Sequence, residues 1–159
     1  MYKRVVIPLD GSDLAEGMLH FILDVAGPLD LEVLLFRVIK PVPPVVTEGS
    51  RSVFIEDIAG RMQHAREYLA PLADELRRKG IRVRTEVRYG ASVVDEIIDG
   101  ARAAGADLIA MTTHGRSGLG RLLFGSVAEA VLRQAEIPVF LMRMTKAQVV
   151  ALAAEEALR

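Results

Sequence analysis

Cysteine is missing from this chain of 159 residues, lysine is scarce, and no apolar run approaches the length of a membrane span. The first absence excludes disulfides, Cys-ligated zinc and thiol catalysis, together with any small fold stapled by disulfides. It is compatible with the cytoplasm, the expected compartment. Apolar runs of about five to eight residues fall well short of the roughly 20 that cross a bilayer. Met1 to Leu9 lacks a signal-peptide pattern, so a soluble, unprocessed protein without membrane contact is expected. Charge of one sign is lacking too: 20 basic and 21 acidic side chains leave a net charge of -1, which provides no field to gather nucleic acid or an anionic membrane. A small ligand or a protein partner is favoured instead. Only four of the basic residues are lysine (Lys3, Lys40, Lys79, Lys146). Arginine, which dominates, offers a fork of donors suited to phosphate, with plain coding bias as the alternative reading.

The 51% of hydrophobic residues is enough to bury one full-sized core, and the length fits one domain. Arg4 to Leu9 is a short β-branched run ended by the turn signal Asp10-Gly11-Ser12, which reads as a buried strand. After Ser12, an N-cap residue, the apolar positions Leu14, Ala15, Met18, Leu19, Ile22 and Leu23 recur at helical spacing up to Gly27-Pro28. Leu31 to Val38 forms a second strand, and the prolines between Ile39 and Ser52 forbid regular structure. A long helix is expected from Val53 to Lys79, closed by Gly80 and kinked or divided at Pro71. Ile81 to Val87 alternates apolar and charged residues, as a half-exposed strand at a sheet edge does. Ser92-Val93-Val94-Asp95 opens a helix to about Ala104, Leu108 to Met111 is a wholly apolar central strand, and a glycine-rich loop follows. Ser126-Val127-Ala128-Glu129 has the form of a second capping box, Pro138 to Met142 is a fifth strand, and Thr145 to Arg159 reads as an alanine-rich helix carrying Val149, Leu152 and Leu158.

This strict alternation predicts an α/β fold: a doubly wound, five-stranded parallel sheet of order 3-2-1-4-5 with helices on both faces and an extra C-terminal helix. Strands 1 and 4 then lie side by side, their following helices leave to opposite faces, and the crevice at their carboxyl ends is where such sheets bind ligands. The loops leaving those two strands are also the most distinctive in the sequence. Glycines at 115, 118, 120 and 125 let backbone N–H groups approach an anion, and the helix starting near Ser126 adds its positive end. A flexible glycine loop that merely covers the sheet is the alternative. No G-x-x-x-x-G-K-[S/T] and no G-x-G-x-x-G after the first strand is present, so a Walker lysine and a dinucleotide fingerprint are both missing.

From Tyr2 to Arg143 the sequence resembles the universal stress protein family, whose ATP-binding branch carries G-x2-G-x9-G-[S/T] after strand 4. The corresponding residues are Thr112-x2-Gly115-x9-Gly125-Ser126, a match at three of four positions, with Thr112 in place of the first glycine. The resemblance implies a nucleotide-binding domain over residues 1–144 and a helical extension over 145–159. It implies ATP as ligand, with Pro8, Leu9 and Asp10 at the end of strand 1 lining the adenosine end and Val38 against the base. Met111 and Thr112 come next at the end of strand 4. Gly115, Gly118, Gly125, Ser126 and Val127 stand along the phosphates, with Arg116 reaching toward them and His114 shaping the loop. Each position keeps a plainer reading: Asp10 as a helix cap, Val38 as core, Ser126 as an N-cap, Arg116 as a solvated side chain.

Mg²⁺ would accompany ATP through Asp10 or through the phosphates alone. The three histidines, His20, His64 and His114, are too scattered for a metal site, and no Ser, His and Asp constellation is present. The resemblance implies a homodimer paired through Val139 to Met142, acting as a stress-response switch that senses or stores ATP and signals to a protein partner. A slow ATPase or autophosphorylating protein is the enzymatic alternative, and a nucleotide-free interaction module, supported by Thr112, is the third.

Overall fold

The computed structural model describes residues 2–42, 57–114 and 125–145, with 147, 148, 150, 151 and 154 beyond them. In chain order the elements are β1 (Arg4–Pro8), α1 (Asp13–Ala26), β2 (Glu32–Ile39), α2 (Ile58–Arg78), β3 (Arg82–Tyr89), α3 (Val93–Ala103), β4 (Leu108–His114), α4 (Ser126–Gln134) and β5 (Val139–Met144). The five strands form one sheet of order β3-β2-β1-β4-β5, parallel throughout, as the alternation of the sequence requires.

β1 sits at the centre because all its interior residues are apolar: Val5, Val6 and Ile7 are fully buried between two helical layers. Successive side chains go to opposite faces. Val5 and Ile7 join Val33, Leu35 and Ala110 under α1 and α2, where Met18, Ile22, Leu69 and Leu76 cover them. Val6 joins Leu34, Phe36, Ile109 and Met111 under α3 and α4, against Ile97, Ala101, Ala128 and Val131. The layer therefore changes between the helix after β1 and the helix after β4, and β1 and β4 are neighbours. That is the switch point anticipated from the element order.

Local chemistry sets the boundaries. Ser12 caps α1, its Oγ accepting from the Ala15 N–H at 3.2 Å, and Ser92 does the same for α3 through the Asp95 N–H at 3.3 Å. α2 ends in a Schellman arrangement: the Gly80 N–H donates to the Arg77 carbonyl and the Ile81 N–H to the Leu76 carbonyl, with Gly80 at φ +84. Beyond β5, the described residues from 147 to 154 are helical. This segment opens on a box in which Thr145 Oγ1 accepts from the Gln148 N–H and Gln148 Oε1 accepts from the Thr145 N–H.

Three expectations need correction. α2 is not divided at Pro71 but runs through it. Pro71 and Glu67, whose carbonyl loses its donor, are both exposed, so the missing bond costs little at a site open to solvent. β4 does not stop at Met111: its ladder with β5 continues through Thr112, Thr113 and His114, three residues that had read as loop. Ser126 is not the N-cap of α4 but its first helical residue, and Gly125 holds the cap position. Val53, Phe54 and Ile55, expected in the second helix, and Val149, Leu152 and Leu158 of the C-terminal stripe lie outside the described residues.

Candidate functional site

The carboxyl end of the sheet opens into a crevice of about 400 Å³, within the range of small-ligand sites. Pro8, Leu9, Asp10, Ser12, Leu14 and Ala15 form one wall; Phe36 and Val38 of β2, with Lys40 just beyond its end, form the next. Val93 and Ile97 close the floor from α3, Met111 and Thr112 come from β4, and Gly125, Ser126, Val127 and Ala128 bring in the start of α4.

Asp10 reaches its place because the Leu9 N–H extends the ladder onto the Phe36 carbonyl, after which the chain turns at Gly11, φ +87. Asp10 Oδ1 accepts from the Ser12 N–H (2.9 Å) and from the Ser12 hydroxyl (2.6 Å). Asp10 is therefore not the cap of α1 but the residue that braces the cap, Ser12. Burial works to raise the Asp10 pKa, but the two Ser12 hydrogen bonds, the Asp10 N–H and the Arg37 charge outweigh it and hold the carboxyl below the usual carboxylate range. The group is ionised at neutral pH and accepts hydrogen bonds only.

On the same crevice, α4 begins without a side-chain cap, so its first N–H groups lack an internal partner and its positive dipole end faces the crevice. Ser126, released from capping, has an exposed hydroxyl at the crevice wall. The crevice thus carries an anionic acceptor, an anion-attracting helix start and an apolar lining of Phe36, Val38, Val93, Ile97 and Met111. Among the described residues no cluster of three His, Cys, Asp or Glu is placed to hold a metal ion.

Of the residues singled out from the sequence, Pro8, Leu9, Asp10, Val38, Met111, Thr112, Gly125, Ser126 and Val127 all line this crevice. His114 is the last residue of β4. Gly115, Arg116 and Gly118 lie outside the described residues. Phe36, Lys40, Val93 and Ile97 were not anticipated. Phe36 and Lys40 were within reach of pattern reasoning, because they stand two residues either side of Val38 and so share its face of the strand. Val93 and Ile97 carried no signal beyond helical periodicity.

The universal stress protein family model matches residues 1–143, and the chain belongs to that family. The universal stress protein MJ0531 of Methanocaldococcus jannaschii is 34% identical over 148 residues, covering 92% of this chain and 85% of that protein. Among solved structures, MJ0577 of the same organism superposes with a TM-score of 0.70 at 26% identity, covering 92% of this chain and 99% of that one. A universal stress protein from Archaeoglobus fulgidus in complex with dAMP does so with a TM-score of 0.60 at 25% identity, covering 88% and 97%.

Proposed function

We propose that the crevice binds an adenine nucleotide, with ATP as the ligand, and that the chain works as a homodimeric, cytoplasmic stress-response module passing its nucleotide state to a protein partner. The observation that carries this reading is the uncapped start of α4, with Gly125 and Ser126 lining the same crevice as the Asp10 turn and a set of apolar side chains. Phosphates belong at Gly125, Ser126 and Val127, where N–H groups and the helix dipole favour negative charge. The ionised Asp10 repels phosphate and accepts from hydroxyls, so the sugar lies against it. The base lies against Val38, which is half-buried on the crevice wall. The relative in complex with dAMP supports the nucleotide class. Residues 1–144 are the binding domain and 145–159 an extension of it.

Mg²⁺ fits only as a companion of the phosphates, since Asp10, the one carboxylate on the described lining, is taken up by the sugar. The slow ATPase remains the second reading on the same observation. It needs a group that orients water at the terminal phosphate.

The two sheet edges differ in a way that favours pairing through β5. On β3, Arg82 pairs with Asp30, Arg84 with Glu32 and Arg88 with Glu86, a charged edge of the kind that resists another strand. On β5, Val139 to Met142 is apolar and Phe140 is 36% exposed. Denaturing the purified protein and separating released small molecules by chromatography tests the nucleotide reading. Adenine nucleotide at near-stoichiometric amount is the expected result, and none released, with no ATP binding by calorimetry, sinks it.

A further inference from the structure

Arg37 stands on β2 between Phe36 and Val38, both of which line the crevice, so its side chain goes to the opposite face, toward α1 and α2. There its guanidinium carbon lies 4.5 Å from the centroid of the Tyr68 ring, a cation–π distance. The Tyr68 hydroxyl donates to Glu16 Oε1 at 2.7 Å, which fixes the ring against α1. The guanidinium also lies beside the β1–α1 turn: a Cβ on Gly11 would stand 2.9 Å from Arg37 Nη1 and 3.1 Å from Nη2. Gly11 is the residue between Asp10 and Ser12, and the Arg37 charge also attracts the Asp10 carboxylate.

We infer that Arg37 is a positioning residue: clamped between Tyr68 and the Gly11 turn, it holds that turn in the form that presents Asp10 and Ser12 to the bound molecule. The functional half of this inference rests on the nucleotide reading above. Arg37, Tyr68 and Gly11 are themselves absent from the crevice lining, so any effect on binding passes through the turn. A guanidinium suits the task because its flat, charged group can meet an aromatic ring while its nitrogens stand close to the turn. Lysine keeps the charge and loses the flat face. Methionine keeps the length and loses both.

ATP affinity measured by calorimetry on the full chain, for wild type, Arg37→Met, Arg37→Lys, Tyr68→Leu, Asp10→Ala and the Asp10→Ala/Arg37→Met pair, tests this together with amide exchange of Ser12 in the free protein. Arg37→Met should weaken ATP about tenfold, a usual size for coupled neighbours, with Arg37→Lys regaining part of the loss and Tyr68→Leu following Arg37→Met. In the Asp10→Ala background Arg37→Met should cost under about twofold, because the residue it acts through is already gone. Ser12 exchange should quicken in Arg37→Met while amides of β1 and β4 hold. Wild-type affinity in Arg37→Met, full additivity with Asp10→Ala, or unchanged Ser12 exchange overturns the inference. A wild type that binds no ATP, with Ser12 exchange still responding to Arg37, refutes the nucleotide reading and leaves the hold on the turn standing.

Discussion

Thr113 Oγ1 accepts a hydrogen bond from the Gly125 N–H at 3.4 Å, joining the end of β4 to the cap of α4. Thr113 is 4% exposed, so its hydroxyl has little access to water, and the bond helps set where α4 starts. The distance is long for an N–H to oxygen bond and its strength correspondingly low. Thr113→Val keeps the shape and removes the acceptor, leaving the Gly125 N–H to solvent. A loss of about 0.5–1 kcal/mol is expected, read as a fall in Tm of about 1–4 °C, with weaker ATP binding as the α4 start loosens.

Gly125→Val should abolish ATP binding and leave the fold intact. The backbone at Gly125 has φ -52 and ψ 143, a conformation that residues with side chains adopt freely, so valine causes no strain there. What changes is the crevice wall, where two methyl groups would stand on the phosphate path. Circular dichroism and Tm close to wild type, with no calorimetric signal for ATP, is the expected pair of results. Undiminished affinity removes Gly125 from the site.

Element order, sheet order and the place of the crevice were legible because each rests on patterns within about ten residues: β-branched runs, helical spacing and caps such as Ser12 and Ser92. What was not legible depends on neighbours far away in sequence. Thr112 and Thr113 read as loop because they follow an apolar run, yet β5 lies beside them and Met142 and Arg143 pair with them. Ser126 has the form of a cap, but the chain reaches α4 one residue earlier and leaves that position to Gly125. Arg37 carries no sequence signal beyond being a charged residue in a strand. Only the return of α2 over that face brings Tyr68 to it.

Thr112→Gly should tighten ATP binding about two- to threefold, a gain of under about 1 kcal/mol. Thr112 is half-buried on the crevice wall, and its branched side chain takes room that glycine would free. The same change puts glycine inside a strand, where Thr112 pairs with Met142 of β5, at a cost of about 1 kcal/mol in stability. Tighter binding with a lower Tm is therefore the expected signature. Unchanged affinity shows that threonine is accommodated without crowding.

Glu32 links folding to pH. Hydrogen bonds from Arg4 lower its pKa first of all; burial opposes them, and the charges of Arg4, Arg84 and Arg82 add to the lowering. The Arg4 Nη2 to Glu32 Oε2 distance is 2.6 Å, with the side chains 27% and 16% exposed. A depressed carboxyl contributes its full stabilisation above the unfolded-state value, and loses it as pH falls through the lower folded-state value. Glu32→Gln should cost about 0.5–1 kcal/mol at pH 7 after allowance for solvent screening, and the difference from wild type should shrink in urea melts run progressively below pH 4.5. A difference that stays constant down to pH 2.5 assigns the loss to packing instead of charge.

Assembly is tested at β5. Phe140 stacks on Phe21 of its own α1, ring centroids 4.7 Å apart and planes within 9°, so a charge at 140 disturbs the subunit as well as its edge. Leu141 points to the other face and packs against the α3–α4 layer. Phe140→Asp and Leu141→Lys should both yield monomers or insoluble protein in sedimentation at micromolar concentration, if the apolar edge pairs with a second copy about a two-fold axis. Phe21→Ala supplies the control: it removes the same ring stack without touching the strand, and should stay dimeric at a cost of about 1–3 kcal/mol in stability. Deleting Lys146 to Arg159 should weaken association and spare the sheet, because Ala147, Val150, Ala151 and Ala154 form an exposed helix face that follows β5 directly. A monomeric wild type, or a Phe21→Ala variant that dissociates as readily as Phe140→Asp, removes β5 as the interface and leaves the nucleotide crevice untouched.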